Sequence, residues 1–117
     1  MTRADLAQLI ADKLGVSTAS RSRDAVVPPA VVIEPGSREP LTICWATQAT
    51  MRVIAGRRDD LDVFEVYDEL LDGLVDLLTK ARGVSIVGAI PAPTTEALGY
   101  VDQWTTTITV RLATEDP

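Results

Sequence analysis

The chain has no histidine and only one cysteine among its 117 residues. The first absence removes the commonest general base, the Ser-His and Cys-His nucleophile pairs, and histidine metal sites. The second excludes an intrachain disulfide framework, which fits a reducing compartment. Cys44 lies on an expected strand beside Trp45 with no neighbouring cation to lower its pKa, and reads as a buried structural thiol. No glycine-rich phosphate loop is present, because Gly15, Gly36, Gly56, Gly73, Gly83, Gly88 and Gly99 stand singly. No apolar run approaches the roughly 20 residues that span a bilayer. The first 14 residues mix Arg3, Asp5, Asp12 and Lys13 with apolar side chains, so no secretory signal core is expected there.

What is present suits one globular domain. Hydrophobic residues make up 46% and charged residues 24%, enough apolar content for a core without disulfides or metals. The net charge of −6 argues against general nucleic-acid binding. Its distribution is uneven. Residues 1–58 hold eight Lys/Arg against five Asp/Glu; residues 59–117 hold three against twelve. Such a chain can present one basic and one acidic surface, through which copies associate head to tail. The plainer reading is a charged helix whose face is simply solvated.

Thr2 reads as an N-cap with Asp5 three residues on as a weaker version of the capping box, and Leu6, Leu9, Ile10 and Leu14 recur at helical spacing before Gly15. A helix is expected over 3–14. Residues 16–29 read as a mobile loop or arm carrying Arg21 and Arg23 and ending in Pro28-Pro29; its alternatives are a linker and a segment that orders on a partner. Ala30–Ile33 reads as a short strand stopped by a Pro35-Gly36 turn. A long strand is expected over 41–55, with Ile43, Trp45, Thr47, Ala49, Met51 and Val53 on one face. Gly56–Asp60 is a charged turn, with Asp59 or Asp60 capping the next helix. That helix runs over 61–81. Val63, Tyr67, Leu70, Leu71, Leu74, Leu78 and Ala81 centre its apolar arc. Phe64 and Val75 flank one side; Val66 and Leu77 flank the other. This surplus is wider than one sheet needs and can meet a second partner. Strands are expected over 84–90 and 100–113, with a loop at 91–99. Trp104, Thr106, Ile108, Val110 and Leu112 share one face of the last. The fold class is α+β: a four-stranded, mainly antiparallel sheet with helices on one face, in the order α-β-β-α-β-β. The two long strands must project past a small body or bend within it.

Two clusters invite chemical readings. Glu65, Asp68, Glu69, Asp72 and Asp76 line the polar side of the second helix, with i, i+4 pairs that could hold a hard cation. A cation loop, its glycine and its carbonyl ligands are missing, so an exposed acidic face is expected instead, with no metal and no cofactor. Arg57 and Arg58 form either a solvated turn or a contact with an acidic patch on a neighbouring copy.

The ordering of these features is informative. A short helix, an arm, a strand to Pro35-Gly36, a long strand from Trp45 to Val53, the Arg-Arg-Asp-Asp turn and helix, then Val84–Pro93 and a terminal strand from Tyr100 through Trp104 to Leu112 together resemble the tail terminator (tail-completion) proteins of long-tailed bacteriophages. The likeness covers nearly the whole chain, including the loop Pro93-Thr94-Thr95-Glu96-Ala97-Leu98-Gly99-Tyr100. It implies a non-enzymatic subunit of a hexameric ring that caps the tail-tube protein, ends tube growth and docks to a head–tail connector protein. It implies a place in the virion, reached from the host cytoplasm, with DNA passing through the ring without sequence-specific binding. The acidic helix face would then suit the pore. A neck or head-completion protein is the nearest rival. A small ligand-binding domain enclosing an apolar molecule around Trp45 and Trp104 represents a different class, and a metal-dependent enzyme using the acidic helix ranks last.

Overall fold

A computed structural model describes residues 1–19, 28–40, 45–98 and 101–114. The expected positions of Arg21, Arg23, Ile43 and Cys44 lie outside the described residues. The first helix, α1 (Arg3–Leu14), has the expected bounds. The Thr2 hydroxyl accepts from the Asp5 N–H, the Asp5 carboxylate accepts from the Thr2 N–H, and Gly15 closes the helix at φ 67°. Leu6, Ala7 and Ile10 are its buried side chains.

The fold is α+β, but its sheet differs from the expected one. Among the described residues six strands form a mixed sheet: β1 (Ser17–Ala19), β2 (Ala30–Pro40), β3 (Trp45–Arg57), β4 (Val84–Ile86), β5 (Thr94–Leu98) and β6 (Val101–Thr114). The second helix, α2 (Val63–Lys80), follows β3. The strands lie in the order β1-β2-β3-β6-β4, and β5 also pairs with β6. The chain order is therefore α-β-β-β-α-β-β-β, rather than α-β-β-α-β-β. β1 joins β2 in parallel, Ser17 opposite Ala30, within the region expected to be an arm. A three-residue strand carries too little alternation to be read from sequence.

The Pro35-Gly36 pair does not end β2. The strand continues to Pro40 through a bulge between Pro35 and Arg38. A Cβ on Gly36 would stand 2.5 Å from the Gln48 carbonyl oxygen, so the glycine here admits a close backbone approach rather than a turn. The strand expected over 84–90 stops at Ile86, and the expected loop at 91–99 contains β5.

The long antiparallel pair β3–β6 forms the spine of the molecule. Its twelve paired positions run from Trp45 opposite Thr114 to Arg57 opposite Gln103. Fourteen residues of β6 span about 48 Å, matching a molecule with extents of 48 × 26 × 25 Å. The ribbon thus runs the whole length of the body, while the 18-residue α2 covers only about 27 Å of it.

Both helices pack on one face of this ribbon. Val31, Ile33, Ala49, Met51, Val53, Ile108, Val110 and Leu112 meet Leu6 and Ile10 from α1 and Leu70, Leu74 and Leu78 from α2. The helices approach closely where Gly73 leaves room for the Leu14 methyls; an added Cβ would lie 3.2 Å from Leu14 Cδ2. At one end the opposite face of the sheet buries Ala30, Val32 and Ile54. Beside them Arg52 donates to Glu34 of β2 at 3.0 Å and to Glu96 of β5. This side chain links strands on either side of the β3–β6 pair.

Candidate functional site

The turn between β3 and α2 brings several of the singled-out residues to one end of the molecule. The Arg57 N–H donates to Asp60 Oδ2 at 3.2 Å, and the Asp60 N–H donates to the Arg57 carbonyl at 3.2 Å. The Arg58 N–H donates to the Asp102 carbonyl at 2.9 Å, tying the turn to the start of β6. Its guanidinium stands 3.7 Å from the Asp102 carboxylate, with both groups largely exposed. Asp62, rather than Asp59 or Asp60, occupies the N-cap of α2, and its side chain makes no capping hydrogen bond. The Asp60 carboxylate is already committed to the turn. Arg57 and Arg58 share this end with Asp59, Asp60, Asp62 and Asp102, so it is a mixed-charge turn and not a basic patch.

Its distinctive feature is apolar. Leu61 is fully exposed, and Phe64 is 54% exposed. The Phe64 ring meets Trp104 at a centroid distance of 5.0 Å, tilted by 59°. Trp104 packs in turn against Ala55, Val63 and Tyr67. It faces the helix side of the sheet, as its strand alternation predicts, but at the margin, where it is half-buried. The signal in the sequence was Phe64 on the flank of an overly wide apolar arc. Leu61 was assigned to the helix, and nothing marked it as projecting from the turn.

The other three flanking residues divide. Val66 is half-buried and lines two clefts that meet at Pro29. One, of about 350 Å³, lies toward Pro28, Arg57, Val101 and Gln103; the other, of about 340 Å³, lies toward Leu14, Val16 and Leu70. Leu77 packs against the main core, so part of the apolar surplus is used inside the domain. Val75 is half-buried on the opposite flank. No family model matches this chain, and neither does any curated protein.

Along α2 the polar face is as expected. Glu65, Asp68, Glu69, Asp72 and Asp76 are all exposed. Asp76 pairs with Lys80 at 2.9 Å. Among the described residues no three carboxylates or other ligating groups converge to hold a metal, because side chains on one convex helix face diverge. This face therefore acts chemically as a line of negative charge about three helical turns long. It lies beside the apolar end formed by Leu61 and Phe64.

Proposed function

We propose that this chain is a structural subunit that assembles with copies of itself into a ring, of the kind that caps the tail tube of a long-tailed phage, ends its polymerisation and docks to the head. The observation that carries this reading is the exposed apolar end. Leu61 and Phe64, three residues apart beside Trp104, stand in water on the isolated chain. Large apolar side chains grouped on a surface mark contact with another macromolecule. The elongated body supports the same reading, since a ribbon that runs its whole length can touch different neighbours at its two ends. The acidic face of α2 gives the assembly a surface that repels phosphate backbones, which suits a channel through which DNA slides.

The test is assembly. Light scattering over a range of concentrations, followed by mixing with purified tail tubes and with tailless heads, should give a discrete ring or decorated tube ends. Decoration of heads alone would move the subunit to the neck. A monomer at every concentration that binds neither tubes nor heads would end the proposal.

A further inference from the structure

Strand β5 is held to the molecule differently from every other long element. Its exposed side chains are Thr94, Thr95 and Ala97, and Glu96 is only partly buried; none of these joins a core cluster. By contrast, β2, β3 and β6 each bury several core side chains. Among the described residues, β5 is attached by main-chain pairing to Val101–Thr105 and through the Glu96 carboxylate, which accepts from Arg52 and, at 3.3 Å, from the Thr105 hydroxyl. Arg52 is itself anchored on β3 and held from the other side by Glu34. Upstream, the Thr106 hydroxyl donates to the Pro91 carbonyl at 2.7 Å, which fixes the chain just before the strand begins.

We propose that β5 is a strap that opens locally while the β2–β3–β6 body and both helices stay folded, and that the Arg52–Glu96 pair is its latch. Local opening is governed by the apolar area an element buries, and the side chains described for Thr94–Ala97 bury almost none. Its described attachment includes hydrogen bonds that water can replace and the Arg52–Glu96 charge pair. Opening bares the N–H and C=O groups of Val101–Thr105, a strand-accepting edge at the same end as Leu61 and Phe64. The inference concerns the isolated chain and stands whether or not copies assemble.

Amide hydrogen exchange on the full chain, kept dilute, tests it. Amides of residues 94–98 should exchange at least ~100-fold faster than those of Met51–Val53, whose strand is paired on both sides. Glu96→Ala should speed exchange in 94–98 by roughly tenfold, the equivalent of one charge-assisted hydrogen bond. Exchange at Met51–Val53 should not change, and Thr95→Ala, an exposed position on the same strand, should leave both regions unchanged. Equal protection of 94–98 and the body would overturn the proposal. So would a Glu96→Ala variant that speeds exchange uniformly.

Discussion

Replacing Leu61 and Phe64 together by serine separates association from folding. Leu61 is fully exposed, so its loss should change folding stability by no more than about 0.5 kcal/mol. Phe64 already buries about half of its surface, partly against Trp104, so its loss should cost the monomer roughly 1 kcal/mol. In an assembly that covers this end, the remaining exposed area becomes buried. Fully burying a Leu or Phe side chain stabilises by about 1.5–3 kcal/mol, and Phe64 has about half of that left to gain. The pair should therefore contribute roughly 3 kcal/mol to association, a weakening of about 100-fold or more when removed. Sedimentation equilibrium reads the association constant, and urea unfolding of dilute protein reads the folding term. If self-association persists at wild-type strength, the apolar end is not the interface. If instead the dilute variant loses more than about 2 kcal/mol of folding stability, these side chains belong to the fold and the reasoning from exposure fails.

Leu74→Ala makes the opposite test, because Leu74 is fully buried between the helices and the sheet. It should cost about 2–5 kcal/mol, which for a chain of this size lowers the Tm by roughly 10–20 °C, measured by calorimetry. Gly36→Ala should destabilise by more than about 1 kcal/mol, since its Cβ would collide with the Gln48 carbonyl; a urea midpoint equal to wild type would show that the bulge shifts freely. The hydrogen bonds from Thr2 hold the Asp5 carboxyl below its ordinary value of 3.8. A depressed folded-state pKa stabilises above the unfolded value and loses that contribution as pH falls through the folded one. Asp5→Asn should therefore reduce stability slightly at neutral pH and flatten the acid limb below about pH 4, as read by unfolding across pH 2–6.

Much of this molecule is determined by local chemistry that a sequence displays. The Thr2–Asp5 capping box and Gly15 bound α1 because caps act within four residues of chain. Alternation at Ala49, Met51 and Val53, and at Ile108, Val110 and Leu112, identified the core face of the ribbon because side chains alternate along any strand. The acidic side of α2 follows from helical periodicity alone. What the tertiary structure decided are the pairings between segments distant in the chain. A parallel edge strand of three residues, the bulge at Pro35-Gly36 that looks like a turn, and β5 inside an expected loop all depend on which backbone lies alongside. Arg52, unremarkable in its strand, became the link between β2 and β5 only in the assembled sheet. The same distinction holds at the candidate site. The width of the helix's apolar arc was legible from 61 to 81, but which flank it exposes was set by packing: Leu77 turned toward the core, while among the described residues no element covers Phe64 and Leu61 at the end where the helix begins.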